Sequence, residues 1–132
     1  MVHTFPVRVY YEDTDMGGIV YYANYLRYIE RARSDWVRGL GVDQNAMREE
    51  EGVVFVVRRV EAEYLKPARF DDALSVQTVL KAVTGARLVL AQEVVRGADL
   101  LFSAEVTVVC VGAGGAPARL PAKIRRQLDP TG

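Results

Sequence analysis

The apolar positions change their period once along the chain, and the change separates a helical half from a strand-rich half. Phe5–Glu12, FPVRVYYE, is rich in valine and tyrosine and predicts a strand ended by the Asp and Gly residues that follow. Tyr22, Tyr25, Ile29, Ala32 and Trp36 then recur at spacings of three and four, which predicts an apolar stripe along one long helix. Arg27, Arg31, Ser34 and Arg38 occupy the polar side at the same spacing. Asn24 is the candidate N-cap, and Gly39 and Gly41 supply the stop. The segment VDQNAMREEEG predicts a second, shorter helix with Asp43 as its cap and Gly52 at its end.

From Val53 onward the period is two. In VVFVVRRVEAEYL, Val60, Ala62 and Tyr64 alternate with Arg59, Glu61 and Glu63. LKPARFDD interrupts the pattern, since Pro67 has no N–H to give a ladder and marks an edge or a bend. ALSVQTVLKAV, RLVLAQEVV and LLFSAEVTVVCVG follow, separated by TGA and RGAD, so an antiparallel meander of four strands is expected after Gly52. AKIRRQL predicts a short terminal helix. The expected class is α+β, a single domain over 1–132 with a five-stranded antiparallel sheet and one long helix. One helix covers one face of such a sheet, yet VVFVV and LLFSAEVTVVCV carry apolar residues on both faces. A second copy of the chain is the economical cover, and a homo-oligomer is expected.

Composition narrows the field. Lysine plus arginine equals aspartate plus glutamate at 17 each, so no overall charge points to nucleic acid or an anionic membrane. Cys110 is the only cysteine, which excludes an intrachain disulfide and fits a reducing compartment. The first residues lack the apolar core of a signal peptide, and Arg58, Glu93 and Glu105 break the longest apolar runs, so a cytoplasmic protein without a membrane span is expected.

The candidate chemistry lies in EDTDMGGIVYYANY, between the first strand and the long helix. A helix N-terminus has unpaired N–H groups and partial positive charge, which stabilise an anion, including the oxyanion of an acyl transfer. A carboxylate in the preceding turn is placed to act as base or nucleophile. Gly17 and Gly18 would let a carbonyl approach the backbone. Asp and Gly at such a junction are also ordinary turn chemistry, and spacing alone does not choose between Asp13 and Asp15.

The stretch VRVYYEDTDMGGIVYYANYLRYIERAR, with EYLKPARFDDALSVQT later, resembles the 4-hydroxybenzoyl-CoA thioesterase-like hotdog enzymes. Within them it looks most like the acyl-CoA thioesterases associated with the Tol-Pal system. The resemblance runs from about Val7 to the final short helix. It implies a hotdog fold, in which the sheet wraps the central helix, and a homodimer or homotetramer with sites at the subunit interface. It implies hydrolysis of an acyl-CoA thioester to free acid and coenzyme A, with no cofactor beyond the coenzyme A carried by the substrate. By resemblance the catalytic carboxylate falls on Asp15, and the oxyanion-donating backbone N–H on Tyr22. Gly17, Gly18 and Tyr21 are the expected substrate contacts. Many Tol-Pal-type members carry histidine where this chain has Tyr22; a role for an imidazole is lost there, while a backbone N–H remains. The rival reading is a non-catalytic module that binds acyl-CoA or acyl carrier protein.

His3, the only histidine, is close to the terminus, so a dehydratase of the same fold, which needs a histidine, is disfavoured. One Cys and one His make no metal cluster. Cys110 reads as a buried thiol in an apolar strand, and Trp36 as core. Tyr21 or Tyr28 is a candidate lining for an acyl pocket, against packing as the alternative. Arg58, Arg59, Lys66, Arg69, Lys81 and Arg87, with Arg119, Lys123, Arg125 and Arg126 in the tail, are candidates for the coenzyme A phosphates or plain surface charge.

Overall fold

The computed structural model describes residues 2–128. Met1 and residues 129–132, which the single-domain reading includes, lie outside the described residues. Five strands form one antiparallel sheet: β1 (His3–Arg8), β2 (Val54–Tyr64), β3 (Ala73–Val83), β4 (Arg87–Arg96) and β5 (Asp99–Val111). The long helix α1 (Asn24–Gly39) follows β1, and a short helix α2 (Gln44–Ala46) runs into a π-helical turn over Met47–Glu51. A last helix, α3 (Ala122–Leu128), coincides with AKIRRQL. This is the α+β architecture that the element order predicts.

Period-two patterning produces the core. Leu74, Val76 and Thr78 of β3, Leu88, Leu90, Gln92 and Val94 of β4, and Ala104, Val106 and Val108 of β5 are all buried, while their sequence neighbours are partly exposed. The apolar ones meet Tyr25, Tyr28, Ile29 and Ala32 of α1 in one cluster. Each fully buried side chain of the size of Ile29 or Phe102 contributes about 1.5–3 kcal/mol. A polar thread crosses this core. Gln92, fully buried, donates from Nε2 to the Ile29 carbonyl at 3.0 Å and to Thr78 Oγ1 at 2.9 Å. Its Oε1 accepts from Arg33 Nη1 at 3.0 Å, so the helix is tied to β3 and β4 by directed bonds as well as by contact.

Asp43 caps α2 as expected, accepting from the Asn45 and Ala46 N–H groups, and Gly52 ends the turn in a left-handed conformation, φ 67°. Cys110 is buried and unpaired, and burial raises the pKa of its thiol.

Three expectations need correction. The sheet order is β1-β3-β4-β5-β2, so β2 lies at the far edge beside β5 and the four later strands are not a simple meander. The crossover 65–72 carries the chain over, its Leu65 and Lys66 N–H groups both donating to the Leu101 carbonyl. β1 ends at Arg8 rather than Glu12, because the Asp13 carboxylate takes the Tyr10 N–H at 2.8 Å and winds Tyr11–Asp13 into a 3-10 turn. Asn24 does not cap α1. The N-cap is Ala23, without a side-chain bond, and the Asn24 amide is spent on Asp13 Oδ1 at 2.7 Å.

Candidate active site

Between β1 and α1 the chain makes two successive turns, each organised by an aspartate. Asp13 is buried and structural, with one oxygen on the Tyr10 N–H and the other on Asn24 Nδ2. The Tyr28 hydroxyl is buried close to this pair, with no well-formed hydrogen bond among the described residues, and its pKa is raised by burial and by the Asp13 charge. Asp15 is exposed. Its N–H donates to the Ile19 carbonyl and its own carbonyl accepts the Gly18 N–H at 3.0 Å, closing a tight loop. The bridges Thr14–Val20 and Ile19–Arg69 pin the loop's base to itself and to the crossover. The structure thus separates two carboxylates that spacing alone left equivalent.

The two glycines serve the carboxylate that they follow. The Gly17 N–H donates to Asp15 Oδ1 at 2.8 Å, and a Cβ on Gly17 would lie 3.2 Å from the same oxygen. Gly18 has φ +78°, a left-handed conformation that other residues adopt at a cost of about 1–2 kcal/mol. One glycine therefore leaves room for the carboxylate, and the other turns the chain back.

Asp15 opens onto a cleft of about 390 Å³. Ile19, Val20, Tyr21, Tyr22 and Tyr25 line it from the loop and the start of α1, and Tyr64, Leu65, Lys66 and Pro67 from the end of β2 and the crossover. Of the residues expected from the sequence, Asp15, Tyr21 and Tyr22 come together here. Gly17 and Gly18 lie in the turn that carries Asp15. Tyr28 is fully buried in the core and does not line the cleft, so the packing reading applies to it.

Tyr22 is not the first residue of the helical stripe. It precedes the helix and is 62% exposed, its ring beside those of Tyr21 and Tyr64. Among the described residues no backbone acceptor takes its N–H, whereas the Tyr21 N–H is spent on the Asp13 carbonyl. The Tyr22 carbonyl, part of the next peptide group, accepts the Tyr64 hydroxyl at 2.9 Å, which ties the Tyr22 backbone to the end of β2.

Sequence reasoning missed the crossover wall. The Tyr25 hydroxyl accepts the Ala68 N–H at 3.1 Å, and the Val20 N–H donates to the Ala68 carbonyl at 2.8 Å. The Tyr25 ring stacks on Phe102, and Tyr64 meets both rings edge-on. Burial raises the pKa of the Tyr25 and Tyr64 hydroxyls, which keeps them neutral donors or acceptors. The alternation of β2 marks Tyr64 as one face of a strand but carries no sign that the face meets Tyr22. Of the candidate cations only Lys66 lines the cleft, its Nζ 3.1 Å from Asp99 Oδ1. Lys81 pairs with Glu105 and Arg59 with Glu61. Among the described residues there is no cluster of His, Cys, Asp or Glu able to hold a metal ion, and no helix is long and apolar enough to cross a membrane.

Known proteins resemble this chain in sequence and fold. Residues 9–128 match the family profile of the Thioesterase-like superfamily. The chain is 44% identical over 111 residues to the acyl-CoA thioesterase YbgC of Haemophilus influenzae, covering 84% of this chain and 82% of that protein. It is 50% identical over 107 residues to the acyl-CoA thioester hydrolase YbgC of Escherichia coli O6:H1, covering 80% and 79%. Among solved structures, a probable thioesterase from Bartonella henselae superposes with a TM-score of 0.87 at 36% identity, covering 92% of this chain and 100% of that one. A profile match across nearly the whole chain and close similarity to two thioesterases place it in the Thioesterase-like superfamily, the hotdog thioesterases.

Proposed function

We propose that this protein hydrolyses acyl-CoA thioesters to a free carboxylic acid and coenzyme A, using Asp15. The observation that carries the reading is one cleft lined by both the exposed Asp15 and Tyr22, whose backbone N–H has no acceptor among the described residues. Gly17 holds Asp15 Oδ1, which leaves Oδ2 to act. Acting as base, it takes a proton from water as the water oxygen attacks the thioester carbonyl. Acting as nucleophile, it bonds to that carbon itself, and water then cleaves the mixed anhydride. On either route the carbonyl oxygen becomes an oxyanion, the C–S bond breaks on collapse, and the sulfur leaves as the coenzyme A thiolate. The Tyr22 N–H, just before a helix of sixteen residues, offers that oxyanion a preorganised donor at the positive end of the helix dipole. Tyr21, Tyr25 and Tyr64 supply apolar walls for the acyl group, and Lys66 at the cleft offers a charge to the carrier's phosphates. The names of the two YbgC relatives support the substrate class.

The test is thiol release from a panel of acetyl to palmitoyl and benzoyl thioesters by wild type and Asp15→Asn. The variant is expected to keep its melting temperature and lose at least about 100-fold in kcat, the scale of general acid–base catalysis. A folded Asp15→Asn protein as fast as wild type overturns the assignment. Tight acyl-CoA or acyl-carrier-protein binding by wild type without hydrolysis favours the binding module instead.

The active form we propose is a homo-oligomer in the cytoplasm, built on β2. The opposite edge, β1, is short and carries Pro6, which blunts it. β2 is eleven residues long, pairs among the described residues only with β5, and exposes Val56, Val57 and Val60. Sedimentation as a monomer at micromolar concentration would overturn this.

A further inference from the structure

A second cavity, of about 210 Å³, lies under the later turns of α1. It shares no lining residue with the Asp15 cleft. Tyr25, which lines the cleft, and Ser34, which lines this cavity, are separated on α1 by roughly 13 Å of helix rise. Its walls are apolar: Trp36 and Val37 from the helix, Phe55 and Val57 from β2, and Leu88, Leu90 and Val108 from the sheet floor. One cation enters this setting. Arg33 is half-buried, and among the described residues its guanidinium has one hydrogen-bond acceptor, the neutral amide oxygen of Gln92 at 3.0 Å. No carboxylate among the described residues lies within ion-pair distance of it. Glu30 also lines the cavity; it is exposed, takes the Ser34 hydroxyl at 3.0 Å, and its charge acts on Arg33 only through space, without a direct ion pair.

A guanidinium has five N–H donors in a rigid fork. Charges withdrawn from water are normally paired. Gln92 cannot compensate the charge; it orients it, being itself locked by the Ile29 carbonyl and Thr78. The free donors and the apolar walls together specify one kind of guest. An anion alone would leave the walls wet, and a hydrocarbon alone would desolvate the cation without compensation. We propose that this cavity binds a small carboxylate with a compact apolar body, its anionic end on Arg33 and its ring or chain among Trp36, Phe55, Leu88, Leu90 and Val108. An apolar cavity of about 150 Å³ takes up benzene, so this one has room for a six-membered ring with its carboxylate. The inference stands apart from the hydrolytic reading, since it uses neither Asp15 nor any residue of that cleft.

Trp36 is the only tryptophan in the chain and lines the cavity, so its fluorescence reports occupancy directly. The experiment titrates the full chain with cyclohexanecarboxylate and with hexanoate, and in parallel with the two primary amides. The acids are expected to saturate the Trp36 signal and the amides to bind about tenfold more weakly or worse, the scale of a charge-assisted hydrogen bond. Arg33→Gln should lose this preference for the acids, and Arg33→Lys should retain part of it. The Trp36 emission and melting curve of each unliganded variant show that its fold is kept. If Arg33→Gln does not fold, the acid-to-amide ratio of wild type and Arg33→Lys decides alone. Equal binding of acid and amide, or no response to millimolar acid, overturns the proposal. Acid binding in Asp15→Asn that matches wild type supports it whether or not the protein hydrolyses thioesters; acid binding abolished by that substitution relocates the guest to the cleft and overturns it.

Discussion

Gly17→Ala asks whether Asp15 works through one held orientation. The added Cβ falls 3.2 Å from Asp15 Oδ1, inside ordinary van der Waals contact, so the carboxylate must retreat by a few tenths of an ångström. The retreat also stretches the 2.8 Å bond from the Gly17 N–H. The backbone is no obstacle, because Gly17 is not among the residues with positive φ. Alanine at a compatible glycine adds about 0.4–1 kcal/mol of stability through the unfolded chain, which offsets much of the local crowding. In a catalytic site a misplacement of about 1 Å costs on the order of 100-fold. Scaled linearly in free energy, a third of an ångström costs about 1 kcal/mol, or roughly fivefold in rate. The expectation is a kcat about three- to tenfold lower, an unchanged KM, and a melting temperature within about 3 °C of wild type. A coupled thiol-release assay and a thermal melt read the two quantities separately. Wild-type kcat in Gly17→Ala would refute the idea that Asp15 must be held; a large fall in melting temperature would show that Gly17 serves the fold.

Gly18→Ala is the natural control: its added Cβ meets nothing within 4 Å but its φ is +78°, so stability should fall by about 1–2 kcal/mol, seen as a lower melting temperature. Tyr64→Phe removes the 2.9 Å bond to the Tyr22 carbonyl and should cost about 0.5–1.5 kcal/mol in a denaturant titration while lowering kcat more than it raises KM. A rise in KM alone would give Tyr64 to ground-state binding. Asp72 anchors the crossover, accepting from the Arg69 N–H at 2.8 Å and Arg96 Nη1 at 2.8 Å. Burial pushes the Asp72 carboxyl up, but these donors outweigh it and hold its pKa below the usual value. A depressed carboxyl pKa contributes stability that is full above the unfolded value near 4 and fades as pH falls through the folded one. Asp72→Asn should therefore melt below wild type at pH 7, with the gap closing as the pH drops below about 4; a gap constant with pH would refute the ion-pair account.

Periodicity made the elements readable where burial is one-sided. β3 runs Ala73–Val83, the segment that alternation marks, and α1 buries Tyr25, Ile29 and Ala32 from the predicted stripe. It failed where a polar group chose a distant partner. Tyr10 and Tyr11 continue a strand-like composition, yet the buried Asp13 carboxylate ends β1 before them. Asn24 is the right residue type for a cap, but its amide bonds to Asp13 instead. The order of strands was unreadable for the same reason: β2 and β3 are neighbours in sequence, and which edge accepts β2 depends on a crossover whose donors reach Leu101. Asp15 was distinguished from Asp13 by resemblance; the structure supplies the physical ground, one carboxylate buried and committed, the other exposed and held by a single N–H. Tyr64 and Pro67 entered the site unannounced, because nothing local says that a strand end and a bend will face the start of a helix.

The crossover also bears on the order of folding. Residues 65–72 bond to β5, to the Asp15 loop and to the first turn of α1, so one wall of the cleft is absent until strands far apart in the chain have closed. Contacts of such long range form late and slowly. The nascent chain can hold its Asp15 turn early, since that loop is local, yet it has no pocket in which to retain a thioester. Hydrolytic competence would then report completed folding, and regain of activity after dilution from denaturant would lag behind regain of helical signal.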